Sequence, residues 1–239
     1  MEITVITLLS FISAVVSSVF GFGAGMVLTP LLHLFLPLRD ALGIGALVFL
    51  VTAGSKTFWY REEIVWPVYR RCLFLALFGL AAGFSVVALV DTFWLEKGFA
   101  LLLLFFALDV LRPPKSQFSF FPAPVFPVAG GLLSVLIHGG GPLFLKFCRQ
   151  HQLDRMQTVA TIAANHFSLN ILKAAFFTGT GLVAIDYVWM LLPAYVAAIV
   201  GTRLGRTLLK DHLSERGFSV GLGVMLLVLA INFLWGQSP

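Results

Sequence analysis

Long apolar runs recur along almost the whole of this chain, separated by short charged or proline-rich interruptions. A helix needs about 20 apolar residues to cross the hydrocarbon of a bilayer. In hydrocarbon every backbone N–H and C=O must be paired internally, so such runs fold as membrane helices. Only 11% of the 239 residues are charged, against roughly 25% in soluble domains, so there is too little polar surface to coat a water-soluble globule. The sequence therefore reads as an all-α polytopic membrane protein. Met1–Ser10 opens with Glu2 and lacks a positive leader, which fits a first span better than a cleaved signal.

Marking runs by their interruptions gives 3–36, 40–59, 72–91 and 94–110, then "RPPKSQFSFFPAP" at 112–124, then 125–147, 156–177, 185–209 and 217–235. That is about seven to eight transmembrane segments. They fall into an N-terminal repeat (1–111), a linker (112–124) and a C-terminal repeat (125–239). The halves match weakly but in order. "FGFGAGMVL" (20–28) lies over "LIHGGGPLF" (136–144), Arg39 over Arg155, "EKGF" (96–99) over "ERGF" (215–218), and Lys56 over Lys173. The expectation is two homologous halves, each opening with a glycine-broken helix.

The symmetry depends on how the broken segments cross. One crossing each gives four spans per half and parallel repeats; a span plus a re-entrant piece changes the count and allows inverted repeats. With eight spans, Arg39, Lys97, Lys146, Arg149, Arg155, Arg203, Arg206, Lys210 and Arg216 share one side. Arg61, Arg70, Arg71, Arg112 and Lys115 lie on the other. The richer side is expected in the cytoplasm, which leaves both termini outside a cell inner (plasma) membrane.

A helix break in lipid survives only where protein shields it or where it lines a wet cavity. The new half-helix begins with free N–H groups that attract anions. Glycine lets a ligand approach the backbone closely, and proline suits a first helical turn. "HGGGP" (138–142) reads as such a break, and "GFGAG" (21–25), with its proline later at Pro30, as its counterpart. Small residues also serve plain helix packing, the reading preferred for Gly79 and Gly83. Two breaks at corresponding positions point instead to a transport site.

"SSVFGFGAGMVLTPLL" (17–32) and "GGLLSVLIHGGGPLFLKF" (130–147) resemble the two glycine-rich segments of the TauE/SafE sulfite exporter family of membrane transporters. The length, central linker and halved layout fit along the whole chain. The resemblance implies transport of small sulfur-containing anions such as sulfite, sulfoacetate or related organosulfonates. It carries over to Gly21, Gly23, Gly25 and Pro30, then to Gly139, Gly140, Gly141 and Pro142. Where the family often has a Thr-Ser-Leu run after each motif, this chain has "GIGALVFL" (43–50) and "TIAANHFSL" (161–169). His138 stands where the other copy has Phe22.

Polar groups inside spans are rare and usually face the protein interior. Thr161, Asn165 and Ser168 share roughly one helical face, with His166 and Asn170 nearby. They offer donors to an anion or bonds between helices. Lys56 and Lys173 either snorkel to headgroups or offset the charge of a buried substrate. Asp109 and Arg112 fit a local helical pair. His138, titratable near neutrality, binds an anion, carries a proton or is structural.

No "GxxxxGK[ST]" supports ATP hydrolysis, and no "HExxH" is present. The leading reading is a secondary transporter, an exporter, working by alternating access without cofactor or metal. An anion channel follows, then an intramembrane enzyme built on Ser134, His138 and His166. The net charge of +5 sits between apolar runs without interleaved aromatics, so it serves topology rather than nucleic acid. Cys72 and Cys148 make no disulfide framework. The expected partners are the anion, the bilayer and, through apolar outer faces, a second copy of the chain.

Overall fold

A computed structural model describes residues 2–20, 24–111, 122–183, 186–208 and 215–235. Among them the secondary structure is helical, with no strand. The helices in chain order are α1 (Glu2–Phe20), α2 (Ala24–His33), α3 (Leu38–Trp59), α4 (Trp66–Leu89), α5 (Thr92–Leu111), α6 (Val125–Leu136), α7 (Gly141–Gln150), α8 (Arg155–Gly179), α9 (Asp186–Met190), α10 (Leu192–Leu208) and α11 (Glu215–Trp235). Among the described residues, α3 and α4 are long and apolar enough to cross a membrane. Shorter apolar stretches lie at Ile3–Ser18, Val125–Leu136, Leu192–Gly205 and Leu226–Trp235.

Local chemistry explains several boundaries. Pro67 sits in the first turn of α4, where a missing N–H costs nothing. Asp154 and Gln157 form a reciprocal capping box at the start of α8. Pro142 occupies the first turn of α7 as expected. Pro30 does not open α2. It lies inside that helix, in the second turn.

Side-chain contacts fix the direction of each helix. Arg39 Nη2 donates to Val90 O at 2.9 Å, so the start of α3 lies beside the end of α4. This end of the bundle is termed upper, and the end holding Trp59 and Trp66 lower. Val65 N–H donates to Thr161 Oγ1 at 3.2 Å, and Phe84 stacks on Phe176 at 4.1 Å between centroids. α8 therefore runs upward beside α4. Lys97 Nζ, near the upper start of α5, donates to Phe233 O and Leu234 O at 3.3 and 2.8 Å, and Gly223 faces Leu111. α5 and α11 are thus antiparallel.

The glycine-rich helices are closely fitted. Gly131 faces the backbone of Ala76 and Gly83 faces Val135, so α6 runs parallel to α4. Gly201 faces the backbone of Phe11 and Gly205 that of Val15, so α1 runs parallel to α10. The packing reading of Gly79 holds, since a methyl there would strike the Val128 carbonyl on α6. A first-half helix thus lies along a second-half helix, and the reverse.

The segment 125–147 does not continue as one straight crossing. Gly140 sits against the Gly130 carbonyl, and Gly130 against the Phe144 ring. Along a continuous helix, residues 130 and 144 would be about 21 Å apart at 1.5 Å per residue. The chain instead folds back, so α7 descends beside α6. α1 likewise heads downward with α10, while α2 ends at His33 beside the upper residues Phe99 and Phe233. Arg39 and Lys97 consequently lie at the opposite end from α7's lower terminus, which separates them from the Lys146 and Arg149 group that eight spans would place with them.

Candidate functional site

The two fold-backs meet in the interior. A methyl on Gly25, in the first turn of α2, would collide with the His138 side chain and carbonyl. His138 forms the bend between α6 and α7. Its φ of 52° lies in the left-handed region, which is uncommon for a residue with a side chain. The bend is held by Ile137 N–H and Gly139 N–H, which both donate to Leu133 O at 3.1 and 3.2 Å. The imidazole is buried. Its Nδ1 is 3.1 Å from Thr29 Oγ1 on α2, and its ring lies 4.9 Å from that of Phe49. Its Nε2 has no hydrogen-bond partner.

A lysine secures each fold-back. Lys173 on α8 is 1% exposed and donates to Ser134 O, in the last turn of α6, at 2.9 Å. Lys56 on α3 is 6% exposed and donates to Ser17 O, near the end of α1, at 3.0 Å and also to Ser17 Oγ. Both separations are 39 residues. The last carbonyls of a helix lack intrahelical partners and carry the negative end of its dipole, so a cation is favoured at each place. Neither lysine snorkels: both ammonium groups lie inside the protein.

His166, midway along α8, sits edge-on to Phe144 at 5.2 Å between centroids. It lies within electrostatic reach of both Lys56 and Lys173, and His138 within reach of Lys173 and His166. Two lysines and two histidines thus share one interior. Among the aspartates and glutamates whose side chains the structure describes, none is buried. Asn165 is fully buried, and neither atom of its amide has a partner; Asn170 Oδ1 is also unpartnered. Buried polar groups are normally bonded, so these orphans point to a missing partner.

Other expected site residues have structural work. Thr161 Oγ1 accepts the Val65 N–H at the start of α4, and Ser168 Oγ meets Tyr69 OH at 2.7 Å. Ser134 Oγ donates to Gly131 O at 2.8 Å, so its hydroxyl proton is spent on the backbone. Gly139 closes the bend, Gly140 packs on α6, and Gly141 and Pro142 begin α7. Pro30 is buried in α2. Gly21, Gly23, Phe22, Arg112, Lys115 and Lys210 lie outside the described residues, as do the side chains of Asp109, Arg155, Arg206 and Arg216. Sequence reasoning missed Ser17 and Thr29. The repeated Ser-to-Lys spacing was the signal that would have found Ser17.

Among the described residues, α3 and α4 are of membrane-crossing length and apolarity beside an interior that holds two buried lysines, which fits a polytopic membrane protein. A family model described as "Sulfite exporter TauE/SafE" matches residues 6–233. The chain belongs to this family of membrane transporters, a family of sulfite-type anion exporters. No curated protein and no solved structure gives a match.

Proposed function

We propose that this chain is a secondary transporter that exports small sulfur-containing anions, among them sulfite, sulfoacetate and related organosulfonates. The observation that carries the reading is the buried pair Lys56 and Lys173, with no buried carboxylate among the side chains the structure describes. An ammonium taken out of water costs several kcal/mol unless an opposite charge repays it. A transported anion is the natural counter-charge. The unpartnered His138 Nε2 and Asn165 amide supply further contacts, and α2 and α7 both start beside the His138 bend, where a helix N-terminus favours an anion.

The two halves are proposed to be inverted repeats. Each comprises a re-entrant hairpin (α1–α2, α6–α7) and three spans (α3, α4 and α5; α8, α10 and α11). The reading is supported by the matching Ser–Lys separations and by the reciprocal packing of α1 on α10 and α6 on α4. An odd number of crossings per half gives inversion, and rocking of one hairpin unit against the other gives alternating access. Of the chain's 16 lysines and arginines, Lys56 and Lys173 are the interior pair, and Arg39 and Lys97 belong to the upper end. The other twelve fall in or next to segments that join helices at the lower end. The lower end is therefore assigned to the cytoplasm, with both termini outside the plasma membrane.

His138 is proposed to couple transport to protons, because it alone joins both fold-backs by a titratable ring. The test is sulfite flux in reconstituted vesicles across a pH series, with His138→Ala and His138→Gln. Loss of the wild-type pH profile supports the role. Wild-type rates and profile in both variants refute it.

A further inference from the structure

We infer that the site binds its substrate as a doubly charged anion, one negative charge for each of the buried lysines. This rests on the anion-transport reading and narrows it to dianions. The charges at the centre can be counted from the elements that meet there. α1 and α6 end at the lysines, and each helix C-terminus contributes roughly half a negative charge. α2 and α7 begin at the crossing, and each N-terminus contributes roughly half a positive charge. These partial charges cancel in pairs. What remains is the charge that Lys56 and Lys173 carry when a bound anion holds them protonated, and no buried carboxylate among the side chains the structure describes opposes it.

Donor capacity leads to the same conclusion. An ammonium has three N–H donors. Lys173 spends one on Ser134 O, while Lys56 spends two on Ser17. Each keeps at least one for a ligand. Lys56 sits toward the lower end of α3 and Lys173 toward the upper end of α8, both within electrostatic reach of His166. The two cations therefore flank the crossing from opposite sides. A monoanion leaves one of them uncompensated in a low-dielectric interior, where charge interactions are far stronger than in water. A dianion satisfies both.

Calorimetric titration of the purified full chain tests this with ligands matched in shape and differing by one charge. Sulfoacetate is compared with its monoanionic amide, sulfoacetamide, and thiosulfate with methanesulfonate. At least one dianion is expected to bind about tenfold or more tightly than its counterpart. Lys56→Met and Lys173→Met should each collapse that preference, and Lys56→Arg and Lys173→Arg should keep it. If neither dianion exceeds its monoanion while anions bind, the charge count is wrong and the anion-transport reading stands. If no anion binds, sulfite included, both fall. The wild-type comparison needs no variant to fold. A preference that survives both methionine substitutions overturns the assignment to these lysines.

Discussion

The two fold-backs share one device and differ at its tip. In each, a serine near the end of the first limb presents its carbonyl to a lysine 39 residues further along. The Ser17 hydroxyl joins its carbonyl in binding Lys56, whereas the Ser134 hydroxyl turns to Gly131 O and leaves Lys173 a single bond. The α6–α7 bend places a histidine in a left-handed conformation, while Gly25 at the start of α2 has no side chain to oppose it. The shared part anchors a helix end with a cation. The unshared part is a titratable ring pressed against a glycine, and it joins the hairpins asymmetrically.

The largest expected effect comes from closing the space that the limbs need. Gly131→Leu puts a side chain into the Ala76 backbone, which cannot yield as a rotamer can. Overpacking costs about 1–3 kcal/mol and sometimes more, so loss of the folded protein in a detergent thermal melt is expected. Gly98→Ala meets nothing within 4 Å and should be neutral or slightly stabilising. If Gly131→Leu melts like wild type, α6 does not lie on α4 as described.

Next come the lysines. Lys56→Met and Lys173→Met should each lower sulfite flux about 100-fold, a loss of roughly 2.7 kcal/mol of transition-state stabilisation. Each also strands a buried carbonyl at about 1–3 kcal/mol of stability. Because Lys56 makes the extra bond to Ser17 Oγ, its loss should lower the melting temperature more than the loss of Lys173. The reverse order would break the comparison between the hairpins.

The tip asymmetry predicts a coupling. Gly25→Ala collides with His138 Cβ and carbonyl. In a His138→Gly background the first obstacle is gone and the second remains. A double-mutant cycle on thermal stability should show partial relief, of order 0.5–3 kcal/mol for residues in contact. His138→Gly alone should leave stability near wild type, since the relief of positive φ offsets the lost Thr29 bond, each roughly 1 kcal/mol. Strict additivity would separate the two tips.

The smallest effect concerns α3 and α8, which differ at their starts. α8 has the Asp154 capping box, and α3 begins after Pro37 with no side-chain cap. Asp154→Ala should cost about 1 kcal/mol in a denaturation melt. A change beyond that size would give Asp154 a role other than capping.

The helical membrane class was legible because apolar length and low charge leave a chain no alternative. The break between α6 and α7 was expected from "HGGGP", because packing does not require the same glycine cluster twice, while its counterpart "GFGAG" falls partly outside the described residues. What stayed hidden was direction. Nothing in "GGLLSVLIHGGGPLFLKF" distinguishes a kinked crossing from a hairpin; the fold-back depends on Gly130 accepting the Phe144 ring, a contact between limbs. Thr161 and Ser168 read as anion donors because helical periodicity puts them on one face, but periodicity cannot say that Val65 and Tyr69 occupy that face. The lysines were visible as a spaced pair, while their burial against helix ends became clear only once α1 and α6 were in place.

The central claim is that the buried lysine pair at the crossing hairpins forms the anion path. Flux of radiolabelled sulfite through vesicles reconstituted with wild type, Lys56→Met, Lys173→Met and both arginine variants tests it most directly. The account predicts saturable flux in wild type, near-background flux in both methionine variants, and substantial recovery with arginine. Wild-type flux in folded Lys56→Met and Lys173→Met protein would contradict it.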